Sequence, residues 1–114
     1  MATTHEWDGV VEALDVLEVH RVLHATLIAM RKLVDMVKDD PAFTDVHPVV
    51  SHAAMMFSRG EGSRRVRVEW DEADGVYAVF FVDPIMELSG RASARKDAVV
   101  RVLREYLDEL DGRT

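Results

Sequence analysis

The chain has 114 residues, of which 48% are hydrophobic and 31% charged, and it contains no cysteine. This composition is typical of one folded domain and excludes disulfides, thiol chemistry and thiolate zinc sites. The 21 acidic and 14 basic side chains give a net charge of -7, which argues against a general binder of nucleic acid or of anionic membranes, because such partners need a cationic surface.

The sequence predicts a protein without a membrane partner. It contains no apolar run of about 18 residues, so we expect no membrane span. The first residues lack the cationic region and the apolar stretch of a secretory signal, so a cytoplasmic location is the expectation. We expect residues 1–114 to form a single α+β domain.

Charge is distributed unevenly along the chain. Residues 1–58 carry 9 acidic and 4 basic side chains, residues 59–104 carry 8 and 9, and residues 105–114 carry 4 and 1. Separate acidic and basic regions on a small surface favour docking onto another protein, or onto a second copy of the chain, over binding to a bulk polyanion.

A long N-terminal helix is predicted to begin between residues 3 and 9 and to end at about Lys38. Thr3 and Glu6 have the spacing of a capping box. Pro41 ends the helix, because the residue before a proline is disfavoured in helical conformation.

The first half of this helix carries a second apolar stripe, which points to a different side from the stripe that follows it. Either the helix breaks near residue 18, or the second stripe is covered by the C-terminal helix or by a partner. The stripe contains Val10, Leu14, Leu17 and Ile28.

A short second helix is predicted over residues 48–59. Pro48 suits a first helical turn and Gly60 a helix end. The residues expected to point inward are Val49, Ala53, Met56 and Phe57.

Residues 64–83 predict an antiparallel β-hairpin with a turn at residues 71–75. The first strand alternates between an apolar and a charged face, as a half-buried strand does. Its apolar face contains Val66, Val68 and Trp70, and its charged face contains Arg65, Arg67 and Glu69.

The second strand of this hairpin is apolar on both faces. One face holds Val76, Ala78, Phe80 and Val82, and the other holds Tyr77, Val79 and Phe81. Such a strand usually lies inside a sheet or between two layers, so a third strand is needed. The candidates are the segment from Ile85 to Leu88 and the hairpin edge of a second copy, and the latter predicts a homodimer.

A C-terminal helix is predicted from near Ser93 to about Leu110. Its residues at core spacing are Val99, Leu103, Tyr106 and Leu110.

Two histidines suggest a metal site. His20 and His24 are four residues apart on the polar face of the predicted helix, a spacing that lets two imidazoles reach one ion. His47 and His52 are possible further ligands. The alternative is that His20 and His24 are surface or interface residues.

Nine of the fourteen basic residues lie within residues 59–104. If Arg65, Arg67 and Arg95 adjoin, an anionic partner is able to dock there and to stack on Tyr77 or Phe81, as single-stranded nucleic acid does on other sheets. The alternative is that neighbouring carboxylates neutralise these arginines. Leu14 and Leu17 form a second candidate contact for a partner protein.

The sequence shows no nucleophile elbow and no glycine-rich phosphate loop, so we expect no cofactor. The favoured function is a small non-catalytic interaction or regulatory protein that acts through protein–protein contacts as a homodimer. One alternative is a metal-dependent enzyme that uses His20 and His24. The other is a single-stranded nucleic-acid binder that uses the basic hairpin face.

Overall fold

The computed structural model describes residues 4–19, 24–51, 54–59, 65–82 and 88–111. These residues form an α+β fold with three α-helices, a short 3-10 helix and five strands, as the fold class predicted in outline. The elements are α1 (Thr4–Val19), α2 (His24–Val37), the 3-10 helix Pro41–Phe43, β1 (Val46–Ser51), β2 (Ala54–Arg59), β3 (Arg65–Asp71), β4 (Val76–Val82), β5 (Leu88–Ala94) and α3 (Val99–Asp111).

The five strands form one antiparallel sheet in the order β1-β2-β3-β4-β5. The pairing predicted within residues 64–83 is present as β3 and β4, with a register that runs from Arg65 opposite Val82 to Asp71 opposite Val76. This hairpin is part of a larger sheet, because β2 pairs with the edge of β3 that faces away from β4, and β5 pairs with the edge of β4 that faces away from β3.

The prediction of a helix over residues 48–59 is wrong, since this segment forms most of β1 and all of β2. A short apolar run has the same pattern in a buried helix and in a buried strand, and residues 54–57 are all buried. Pro48 fits β1 because β1 lies at the edge of the sheet, where a missing N–H is tolerated.

The prediction of a single long N-terminal helix is also wrong, and the alternative of a break near residue 18 agrees with the structure, because α1 ends at Val19 and α2 begins at His24. The guanidinium of Arg31 donates to the carboxylate of Asp15 at 2.6 Å. In a continuous helix these residues, 16 positions apart, would be separated by roughly 24 Å along the axis. Within the described ranges, no helix has the length and apolarity to cross a membrane.

The C-terminal helix begins later than predicted, at Val99 rather than near Ser93, because residues up to Ala94 belong to β5. β5 supplies the third strand that β4 requires. Of the segment predicted for this role, Leu88 begins β5, while residues 85–87 lie outside the described residues.

The three described helices pack on one face of the sheet, which we call the first face. α1 lies against β1, α2 against β3, and α3 against β2 to β5. The core between the layers joins the apolar faces of the helices to the inward side chains of the strands. Its strand residues are Val46, Met55, Phe57, Val66, Val68, Tyr77, Val79, Phe81 and Ala94.

Candidate functional site

The opposite side of the sheet, which we call the second face, carries the best candidate for a binding surface. Its residues alternate along each strand with those of the first face. A row of neighbouring side chains crosses four strands, because Val49 pairs with Met56, Met56 with Arg67, and Arg67 with Phe80. Among the described residues, no helix packs on this row.

The second face is unusually apolar for a sheet surface that no described helix covers. Val49 and Leu88, at its two edges, are 48% and 44% exposed. Its other apolar residues are buried or half-buried but stand apart from the main core. They are Ala54, Met56, Val76, Ala78, Phe80 and Val82.

Charges on the second face follow an ordered pattern along β3. Arg65 and Arg67 occupy the first half of the strand, and Glu69 and Asp71 the second half. The Arg67 guanidinium contacts the Glu69 carboxylate at 2.5 Å, and Arg91 on β5 contacts Asp71 at 3.0 Å. The predicted neutralisation of arginines by nearby carboxylates is therefore seen at these two pairs.

Asp71 also organises the turn between β3 and β4. Its carboxylate accepts a hydrogen bond from the backbone N–H of Asp74 at 3.2 Å, and its carbonyl accepts one from Gly75 at 2.8 Å. The hydrogen bond from the Asp74 backbone, reinforced by Arg91, lowers the pKa of Asp71, because each stabilises the ionised carboxylate. Gly75 supplies the positive φ of 65° that closes this turn.

Tyr77 and Phe81, predicted to stack on a ligand, lie on the first face and are buried in the core. The Tyr77 hydroxyl donates to the carbonyl of Ala29 at 2.6 Å, and burial raises its pKa from 10.0 to about 12. The expected combination of these rings with Arg65 and Arg67 on one surface is therefore wrong, because the sheet separates them.

Phe81 stacks on Tyr106 of α3, with ring centroids 4.3 Å apart and ring planes 12° from parallel. The Tyr106 hydroxyl donates to the carbonyl of Gly90, at a register shift between β4 and β5. Gly90 has a φ of 65°, and a Cβ atom there would lie 2.9 Å from the Phe81 ring. This glycine lets β5 approach the aromatic pair.

Arg95 does not adjoin Arg65 and Arg67. It lies between β5 and α3, beside an open cavity of about 750 Å³ whose lining includes Trp70 and Lys96. The Lys96 ammonium lies 5.7 Å from the Trp70 ring centroid, and the nearby Lys32 lowers the pKa of Lys96. Arg65 and Arg67 thus lie on a different surface from Arg95 and Lys96.

Leu14, predicted as a partner contact, is 1% exposed and belongs to the core, as does Val10. Two residues of the predicted second stripe, Val10 and Leu14 on α1, are thus covered within the chain, whereas Ile28, which lies on α2, is 42% exposed. The side chain of Leu17 lies outside the described residues.

The metal prediction falls mainly on residues that are not described. His20 lies outside the described residues, and His24 is the first residue of α2, with a side chain that is not described. The residues that are described contain no group of three or more potential ligands able to hold a metal ion. The His20–His24 site remains a prediction.

A groove of about 460 Å³ between α1 and β1 was missed by the sequence reasoning. Its lining is mostly apolar, and the four-residue spacing of the small residues on α1 is the signal that was available for it. The lining residues are Gly9, Val10, Ala13, His47, Pro48, Val49 and Val50.

Comparison with known proteins gives no match: no family model, curated protein or solved structure matches the chain.

Proposed function

We propose that the protein is a non-catalytic interaction module that forms a homodimer through the second face of its sheet. The observation that carries this proposal is β4, which is apolar on both faces although the described helices pack on only one. An antiparallel sheet with one face in water normally places polar residues on that face. An apolar second face is favoured when another layer covers it.

The order of charges on β3 favours a second copy as that layer. In a two-fold symmetric dimer the same surface contacts itself. If the two β3 strands cross the interface in opposite directions, Arg65 and Arg67 of one copy face the acidic half of β3 in the other. Apolar side chains on the neighbouring strands, such as Phe80, then fill the layer between two sheets about 10 Å apart.

The proposal revises the dimer expected from the sequence. That dimer paired hairpin edges, whereas β4 already has both neighbours, β3 and β5, within the chain. The surface expected to bind protein is now the second face of the sheet, where apolar and charged groups of both signs are mixed. Single-stranded nucleic acid is less favoured, because Tyr77 and Phe81 lie in the first-face core and Arg67, beside the half-buried Phe80 on the second face, already pairs with Glu69.

The mass of the full chain in solution tests the proposal. Light scattering and sedimentation from low to high micromolar concentration are expected to show a dimer. Phe80→Glu places a charge in the apolar layer and is expected to give a monomer. The matched control is Ile28→Glu, which changes an exposed residue on α2 and is expected to leave the mass unchanged.

A charge exchange tests the symmetry of the contact. Arg67→Glu places like charges opposite each other and is expected to weaken the dimer at least about tenfold. Arg67→Glu combined with Glu69→Arg restores opposite charges both within and between copies, so dimerisation should return. The proposal would be overturned if the chain is monomeric at every concentration, or if it forms a dimer whose stability neither Phe80→Glu nor Arg67→Glu changes.

A further inference from the structure

The outer edge of β1 and the groove beside it form a second surface with a distinct chemistry. We infer that they bind an extended peptide segment of a partner protein, in which apolar residues alternate with lysine or arginine. This inference rests on the proposed interaction function and specifies a partner class for it. It is carried by the geometry of the edge strand, the space in the groove and the charge of α1.

β1 is the first strand of the sheet, and in the described part of the chain it pairs only with β2. In an antiparallel edge strand, every second residue directs its N–H and C=O groups away from the sheet. Proline is accommodated where its missing N–H faces outward, which favours Val46, Pro48 and Val50 as the outward-directed positions. An extended segment is the partner that satisfies such groups, by adding a strand.

Space for side chains of that segment lies beside the strand. The groove of about 460 Å³ has β1 on one side and the small residues Gly9 and Ala13 of α1 on the other. A Cβ atom built on Gly9 meets no other atom within 4 Å, so this part of the groove is open. Val49, 48% exposed, adds an apolar wall that an alternate side chain of the segment is able to contact.

The negative charge of α1 favours a partner segment with positive charge. The helix contains five acidic residues and no lysine or arginine. Asp8 and Glu12 are exposed and directly precede the groove-lining residues Gly9 and Ala13 in α1; they do not line the groove themselves, and we call their position its rim. Among the described residues, no ion pair occupies either carboxylate, so cationic side chains of a bound segment are favoured at this rim.

The same charge disfavours a second copy at this edge. Pairing between two β1 edges would bring the acidic α1 helices of both copies close together, and like charges across an interface oppose association. A basic extended segment, by contrast, can pair with the backbone of β1, place side chains in the groove and bring positive charges to the carboxylates of α1.

The test uses a short fluorescent peptide of alternating valine and lysine, titrated with the full chain and followed by anisotropy. We expect saturable binding in the micromolar range. A peptide with glutamate in place of lysine, and a peptide N-methylated along one edge of its backbone, are each expected to bind at least about tenfold more weakly. Equal affinity for the lysine and glutamate peptides, or indifference to N-methylation, would contradict the inference.

Two variants locate the binding site. Gly9→Leu fills the groove and is expected to weaken lysine-peptide binding at least about tenfold while the helix is retained, because leucine favours a helix over glycine. Asp8→Asn combined with Glu12→Gln is expected to weaken it several-fold without changing binding of a valine–threonine peptide. The control, Asp35→Asn with Asp39→Asn, removes the same charge from the end of α2 and its following turn and should leave affinity unchanged.

The peptide titration and the dimer measurement are separable. Peptide binding is measured on both the unmodified chain and Phe80→Glu, and affinity is expected to be the same in both. Loss of the dimer with peptide binding intact would refute only the proposed homodimer, and the reverse result only the peptide site. If Gly9→Leu alters the mass of the chain instead of peptide affinity, the groove is a contact between copies and the inference fails.

Discussion

The two faces of this sheet are built from the same five strands, yet the described helices cover only one of them. On the first face, α1, α2 and α3 close over a continuous core. On the second face, apolar side chains of β4 stand beside the charges of β3. The comparison teaches that an apolar position in a strand predicts a need for burial, while the partner that provides the burial depends on the remainder of the fold.

The largest effect is expected from substitutions of two adjacent phenylalanines of β4, one on each face. Phe81→Ala removes a 6%-exposed ring that stacks on Tyr106 and should lower the free energy of unfolding by about 3 kcal/mol. Phe80→Ala, on the second face, should cost about 1 kcal/mol in the monomer. Urea unfolding at dilution that keeps the chain monomeric measures both, and equal losses would mean that the second face is packed like a core.

A second test compares two glycines with the same φ of 65°. Gly75→Ala adds only the conformational cost, about 1 kcal/mol, because its Cβ has open space. Gly90→Ala adds the contact with Phe81 at 2.9 Å and should cost about 1–2 kcal/mol more. Thermal unfolding of both variants measures the difference, and equal losses would show that β5 shifts away from the first-face core at little cost.

A third test uses the hydroxyl of Tyr77. Tyr77→Phe removes its hydrogen bond to Ala29 and should cost about 1 kcal/mol at neutral pH. Burial favours the neutral phenol, so this stabilisation is complete below the ordinary pKa of 10.0 and is lost as the pH rises towards about 12. Unfolding measured across this interval should show the stability advantage over Tyr77→Phe shrinking, whereas a constant difference would contradict burial of the phenol.

The smallest expected effect is at an ion pair of the second face. Arg91→Gln should change the free energy of unfolding by less than about 0.5 kcal/mol, because the Arg91 side chain is 49% exposed. The pKa of Asp71, followed by NMR of its carboxyl carbon, should rise but stay below its ordinary value. The backbone N–H of Asp74 is the larger cause of the shift, so a full return to the ordinary value would contradict this assignment.

Part of the fold was predictable because local alternation determines it. In β3, charged and apolar residues alternate, and the charged positions lie on the second face as expected. In β2, four successive buried residues erase the alternation, so the segment fitted a helix equally well. In β5, serine, glycine and alanine carry no strong strand signal, and this strand forms because β4 requires a neighbour.

The candidate sites were predictable only in part. Arg65 and Arg67 could be placed on a charged strand face from their spacing alone. The choice of Tyr77 and Phe81 as exposed rings failed because a strand that is apolar on both sides does not reveal which side the helices cover. The groove beside Gly9 arises from two segments distant in sequence, and its shape depends on how α1 lies against β1.

The order of strands has a consequence for how the chain folds. Each of the five described strands pairs with its immediate neighbour in sequence, so each pairing closes a loop of only a few residues. Short loops lose little conformational entropy on closure, and a high share of local contacts is associated with fast folding. We expect the β3–β4 ribbon to form early. The C-terminal helix α3 is expected to dock later, over the first face of β2 to β5.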